Sequence, residues 1–339
     1  MVAPPPLDIQ LLALPESAGS SLYGMLDVLA TTGTLWRELA GLDRGPSLIR
    51  PRLLSLTRER FTCGHGIPVK PDLAIGDDVR PDILIITDFW LAPDDAMGDR
   101  YDELKAWLRE CRAGDTTIYS ACTGSVLLAA AGLLDGLEVA SHWAYEDLFR
   151  RNFPAVRFDP APNICFSDET GRLVTAGGAS SWHDLALHII SRHVSPGEAL
   201  RTAKVYLMKW HSEGQLPYAN RVRRLPHADS VVRRAENWLA ENYCDADPVA
   251  GVVAACGIAE RSLKRRFRQA TGVTLIAYAQ NLRIEAAKRG LETGRKPVDE
   301  IAGGVGYENV AFFRRLFKRC TGLSPGEYRR MFRPFHADV

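Results

Sequence analysis

The chain has 339 residues, room for two or three domains, and its composition is that of an ordinary globular protein: 46% hydrophobic, 24% charged, formal net charge +1. No apolar run approaches the ~18 residues of a membrane span and no basic leader opens the chain, so the expectation is a cytoplasmic protein without a membrane partner. Seven cysteines without a CxxC exclude a disulfide framework or a zinc site as the organising principle, so no metal or cofactor is expected. The near-zero charge conceals a split. From Arg221 onward, 22 Lys and Arg stand against 13 Asp and Glu, a net +9, whereas the preceding 220 residues carry 20 against 28, a net −8. The basic part suits a polyanion and the acidic part would repel one.

In chain order, Leu7 to Leu14 predicts a strand and Leu22 to Thr31 a helix. Asp82 to Thr87 (DILIIT) is the near-continuous apolar run of a strand buried on both faces. A helix over Asp99 to Arg112, a strand over Thr116 to Ser120 and a helix over Gly124 to Ala131 follow. Further strands are expected near Glu138 to Ser141, Ala155 to Phe158 and Leu173 to Thr175. Helices near Ser181 to His193 and Pro196 to Trp210 close the domain. This alternation predicts an α/β fold, a parallel sheet with helices on both sides. Residues 213–228, with Pro217, Pro226 and Arg221, Arg223 and Arg224, read as a solvated interdomain linker. The expected domains are therefore 7–212 and 229–333.

Ser120-Ala121-Cys122-Thr123-Gly124 falls between a predicted strand and helix, the setting of a nucleophile elbow, with a helix N-terminus placed to favour a thiolate. Downstream stand Ala131-Gly-Leu-Leu-Asp135-Gly136, Ser141-His142-Trp143, Thr175-Ala-Gly177-Gly178 and Asp184. Together these residues resemble the class I glutamine amidotransferase-like, ThiJ/PfpI-type fold over nearly all of residues 7–210, which implies a flavodoxin-like domain. The resemblance places Cys122 and His142 at a pocket, with Thr123 and Trp143 beside them. Two departures argue against catalysis. Active relatives carry an acid at the start of the first helix, where this chain has Ser17 to Ser21, with Glu16 out of register. They also carry glycines where it has Phe89 and Trp90, residues better suited to lining a ligand pocket. The expectation is a pocket for an unidentified small metabolite. Trp90, Trp143 and Trp182 offer ring faces to a cation, and His183 and His188, five apart, read as surface or packing residues rather than metal ligands.

The last third repeats itself at an offset of 50 residues. Leu263-Lys-Arg-Arg-Phe267-Arg-Gln-Ala-Thr271-Gly272, with Tyr278, matches Phe313-Arg-Arg-Leu-Phe317-Lys-Arg-Cys-Thr321-Gly322, with Tyr328. Each copy follows a short apolar helix pattern and a turn glycine, Gly257 or Gly306, which is the helix-turn-helix signature. Leu263, Phe267 and Ala270 would pack inward, as would Phe313, Phe317 and Cys320. Arg261, Lys264, Arg265 and Arg268 form a basic stripe at i, i+3, i+4, i+7, with Ala311, Arg314, Arg315 and Lys318 as offset partners. Residues 229–333 resemble the AraC/XylS-type DNA-binding domain, all-α with two helix-turn-helix motifs joined by a long helix, here Ala277 to Leu291. Departures are Leu275, where a proline is common, and Val310 and Ala311, where base-reading side chains are common; with Asn309 these complete the expected DNA contacts. The fusion resembles the GlxA-like transcriptional regulators. That resemblance implies promoter DNA and RNA polymerase as partners and a homodimer without enzymatic activity. The alternative is a cysteine-dependent amide or aldehyde hydrolase carrying a DNA-binding domain.

Overall fold

A computed structural model describes residues 5–77, 80–222 and 227–333. The chain divides into two compact units, Met1–Gln215 and Leu216–Val339. Among the described residues no helix is long and apolar enough to cross a membrane. All seven cysteines are free.

The first unit is built on a seven-stranded sheet. Its strands are β1 (Leu7–Leu12), β2 (Ile49–Ser55), β3 (Leu73–Ala74), β4 (Ile83–Ile86), β5 (Thr117–Ala121), β6 (Ile164–Phe166) and β7 (Leu173–Ala176). They lie in the order β6-β7-β5-β4-β1-β2-β3, every pairing parallel except β6 with β7. The parallel sheet is the expected one, with a single antiparallel strand added at its edge. The central strand β4 is buried throughout, as its unbroken apolar run requires. Helices α1 (Gly19–Ala30), α4 (Trp182–His193) and α5 (Pro196–Tyr206) pack on one face of the sheet. The other face is covered by α2 (Asp102–Ala113) and α3 (Gly124–Ala130).

Alternation of strand and helix carried this architecture, but β2 escaped it. The sequence Ile49-Arg-Pro-Arg interrupts the apolar pattern with charge and a proline. Arg50 and Arg52 both reach Asp8 on β1, at 2.5 and 2.8 Å, so their charge is met across the ladder. Pro51 pairs only on the β1 side, because β3 joins β2 only at Leu54 and Ser55, so its missing N–H breaks no ladder. The segments expected near 138–141 and 155–158 do form strands, Glu138–Val139 and Arg157–Phe158. They pair with each other, outside the main sheet.

The second unit is all-helical: α6 (Ser230–Asn242), α7 (Pro248–Cys256), α8 (Glu260–Thr271), α9 (Leu275–Thr293), α10 (Val298–Gly304), α11 (Val310–Thr321) and α12 (Pro325–Phe332). Two cores form, one from α6 to α8 with the start of α9, the other from the rest of α9 with α10 to α12. The repeat is repeated in three dimensions. Gly272 and Gly322 close α8 and α11 with φ of 78° and 77°. Thr271 Oγ1 donates to Phe267 O at 2.7 Å, and Thr321 Oγ1 to Phe317 O at 2.9 Å. Thr274 and Ser324 then cap the helices that follow.

The expected free linker is revised. Residues 216–222 belong to the second unit, where Arg221 donates to Cys320 O at 3.1 Å and Lys288 Nζ donates to Ala219 O at 2.7 Å. Arg221 is thus tied to the helical unit although it stays exposed. Residues 213–215 belong to the first unit, in which Gln215 N donates to Ala161 O. Arg223, Arg224 and Pro226 lie outside the described residues.

Candidate nucleic-acid interface and ligand pocket

Each motif of the second unit consists of a short helix, a glycine turn and a longer amphipathic helix. Gly257 and Gly306 adopt φ of 66° and 85°, left-handed values that L side chains resist. Leu263 and Phe267 of α8, and Phe313, Leu316 and Phe317 of α11, are buried; Ala270 is half-buried and Cys320 buried. On the opposite faces Arg261, Lys264, Arg265 and Arg268 are exposed, as are Ala311, Arg314, Arg315 and Lys318. The structure therefore presents both predicted stripes outward.

Several of these side chains already have partners. Lys264 pairs with Glu260 at 2.5 Å and Arg314 with Asp299 at 2.8 Å, both exposed contacts that a phosphate can outcompete. Asn309 caps α11, its Oδ1 accepting from Phe312 N at 2.9 Å, and Val310 is half-buried against the second core. These two position the helix more than they extend its surface. Arg266 lies on the same basic run yet turns inward, gripping Asp229 with both Nε and Nη2 at 2.8 and 2.7 Å. That pairing, chiefly the side-chain hydrogen bond, holds the Asp229 carboxyl down at about 2. The equivalent position in the second copy is the buried Leu316, so one repeat fixes its helix by charge and the other by packing.

Arg283 of α9 ties the two halves together. Its guanidinium donates to Tyr243 O at 2.6 Å, Asp245 O at 2.6 Å and Gly306 O at 3.0 Å, and it lies over the Tyr307 ring. The turn of the second motif is thereby anchored to the loop after α6. The spacing between the two recognition helices is built in rather than left to a flexible hinge.

In the first unit, Cys122 stands where β5 breaks into α3, with φ of 52°. A non-glycine residue in that region is strained, and such strain collects at functional sites. Gly124 allows the tight approach that follows, since a Cβ there would sit 2.7 Å from the carbonyls of Ile86 and Thr87. Thr123 is buried, and its hydroxyl donates to Phe89 O and accepts from Phe89 N, both at 2.7 Å. Thr123 therefore clamps the loop after β4 and is not offered to a ligand. Ser141 Oγ donates to Cys122 O at 2.7 Å, bringing the His142–Trp143 turn beside the elbow. His142 Nδ1 accepts from Ala144 N at 3.1 Å, and its ring packs against Trp143 and Tyr145.

The expected thiolate is corrected. Cys122 is only 5% exposed, and burial, reinforced by the nearby Asp88 carboxyl, pushes its thiol far above the ordinary value. The seven-residue helix beneath it does not overcome that cost. Asp88 was missed in the sequence, because it follows β4 and looks like a strand-end residue. It is buried, and burial raises its carboxyl above the usual range. Glu16 is turned away, bound to Arg100 at 3.0 Å and Tyr101 at 2.6 Å, in keeping with its being out of register.

Two expected pocket residues are also reassigned. Phe89 is buried in the core, bridged to Ser17. Trp90, next in an extended stretch, must point the other way; it is 59% exposed and packs on His65 and Gly64. Trp143 lies on His142, and Trp182 packs against Gly24. His188 is half-buried against Tyr119 and Phe166, a packing residue as expected. Among the described residues no cluster of His, Cys, Asp and Glu could hold a metal ion. Gln215 was not singled out in the sequence, yet it is buried beside this turn. Its Nε2 donates to Ser141 O at 2.9 Å and its Oε1 accepts from Trp143 N at 3.2 Å.

Comparison with known proteins agrees with both halves. The DJ-1/PfpI family matches residues 33–192, and a family described as "Helix-turn-helix domain" matches residues 252–331. The chain is similar to the arabinose operon regulatory protein of Escherichia coli, 32% identical over 176 residues, which are 51% of this chain and 54% of that protein. That match thus spans about half the length of the relative. The HTH-type transcriptional regulator GbdR of Pseudomonas aeruginosa is 24% identical over 322 residues, covering 93% of this chain and 84% of the regulator. The HTH-type transcriptional regulator GlxA of Rhizobium meliloti is 26% identical over 213 residues, 61% of this chain and 63% of its own. In chain order, a DJ-1/PfpI match is followed by a helix-turn-helix match, and the chain is similar along most of its length to the transcriptional regulator GbdR.

Proposed function

We propose that this protein is a cytoplasmic, sequence-specific DNA-binding regulator of transcription whose α/β unit senses a small metabolite. One observation carries the reading: two equivalent helices bury matching apolar faces and expose matching basic ones. Arg261, Lys264, Arg265 and Arg268 contact bases and phosphates in the first motif, and Arg314, Arg315 and Lys318 do so in the second. Ala311 offers apolar contact to a thymine methyl group, and Asn309 and Val310 set the helix start. The relatives' names, operon regulatory protein and transcriptional regulator, support a role in transcription; the proposal includes RNA polymerase as partner and a pairing of two chains that places two such units on one operator.

The metabolite binds at the turn of Cys122, His142 and Trp143, and binding shifts the population competent for DNA. A buried, protonated thiol suits binding better than attack, which supports a sensor over a hydrolase. Selection of bound duplexes from a random pool, followed by gel shifts, tests the DNA reading. Enrichment of a defined sequence supports it, and equal binding to every duplex removes it. Turnover of small amides or aldehydes that is lost in Cys122→Ser would instead establish the hydrolase.

A further inference from the structure

A cleft of about 870 Å³ opens beside the first recognition helix. Lys264, Arg265 and Arg268 stand around it, and Val249 and the exposed Ile276 supply apolar surface above the buried Leu275. Asp247 also lines it, but that carboxylate is turned to cap α7, its Oδ1 accepting from Ala250 N at 2.9 Å. Ile276 is 58% exposed, so it contributes little to the core. In the second copy Leu275-Ile276 becomes Pro325-Gly326, although the basic residues Arg314, Arg315 and Lys318 are kept. Gripping DNA therefore does not demand the apolar wall. Phosphate gains nothing from a branched alkyl side chain, and a neutral apolar molecule gains nothing from three cations. A molecule with an apolar body and an anionic end uses both. The volume lies within the range of small-molecule sites, about 300–1,000 Å³.

We propose that this cleft binds an amphipathic organic anion, an aryl or medium-chain carboxylate or sulfonate, and that the bound anion competes with DNA for Lys264, Arg265 and Arg268. The competition rests on the DNA-binding reading above; the anion site itself does not. Occupancy neutralises the basic stripe of one motif only, so it weakens the grip of the first motif and leaves the second in place.

The test uses the full chain, with anilinonaphthalene sulfonate as fluorescent probe and decanoate as a non-fluorescent competitor. Saturable probe binding is expected, displaced by decanoate and by a selected duplex. Ile276→Ser should weaken probe binding about 10-fold, the scale of losing one aliphatic side chain, while duplex affinity stays near wild type because no charge is added. Ile276 is 58% exposed, so the variant keeps its fold, checked by circular dichroism. Unchanged probe affinity in Ile276→Ser would overturn the site. Simultaneous binding of probe and duplex would overturn the competition. A wild-type chain that binds no duplex fails the DNA reading instead, and the Ile276 comparison still judges the cleft.

Discussion

Arg265 and Arg266 are neighbours with opposite tasks. Arg265 points outward, and Arg266 holds Asp229 at the start of α6. Arg265→Ala should cost about 1–3 kcal/mol of binding to the selected duplex and relax preference at one base position, as for a lost bidentate base contact. Arg266→Ala should lower the melting temperature yet leave the pattern of sequence preference unaltered. Gel shifts on a panel of single-base variants, run beside thermal melts, separate the two. If Arg265→Ala changed melting alone, its assignment to DNA would be lost. Such a division is invisible in a run of consecutive basic residues, because it depends on where Asp229 lies.

At the scale of elements, the two turn glycines have the same backbone role in different surroundings. A Cβ on Gly257 would meet nothing within 4 Å, whereas one on Gly306 would lie 2.5 Å from Cys244 O. Gly257→Ala should therefore cost about 1 kcal/mol, the left-handed penalty alone. Gly306→Ala adds a backbone collision and should cost clearly more. Urea denaturation of the two variants compares them directly, and equal losses would contradict the packing seen at Gly306. Arg283 is the companion case. Arg283→Met leaves three backbone carbonyls without their charged donor, at a cost of about 3 kcal/mol. It should also weaken duplexes that engage both motifs more than those that engage one, since the guanidinium fixes the spacing between them. Equal weakening of both kinds of duplex would separate stability from spacing.

For the molecule as a whole, the first unit should be sensitive to acid. Tyr119 OH and His193 Nε2 lie 2.7 Å apart under the sheet. Burial, with smaller contributions from Arg192 and His188, pushes His193 down to about 4 from an ordinary 6.5. Burial lowers His188 as well. Between pH 6.5 and 4 the unfolded chain then binds more protons than the folded one. The stability these groups contribute is present above 6.5 and is lost as pH falls toward 4. His193→Gln should flatten that fall in denaturation curves taken at pH 7, 5.5 and 4.5. A parallel decline in variant and wild type would show that His193 is not responsible. The charge asymmetry acts at this scale too: binding to duplex should weaken steeply with salt, and Lys318→Ala should reduce the slope by about one counterion.

The recurrence of Leu263, Phe267, Thr271, Gly272 and Tyr278 at a spacing of 50 was enough to specify two helix-turn-helix motifs, because helix periodicity, capping and left-handed turns are local physics. Apolar runs such as DILIIT likewise announced a buried sheet, and Cys122 between strand and helix announced an elbow. Long-range contacts decided the rest. Pro51 hid a strand that works only because one side of β2 is unpaired there. Trp90 left the expected pocket because Phe89, one residue earlier, is clamped inward by Thr123 from the far side of the elbow. Burial beside Asp88 reversed the expected state of the Cys122 thiol, and a carboxyl 34 positions away gives no local signal. Partners distant along the chain set charge, exposure and direction, and only the tertiary structure brings them together.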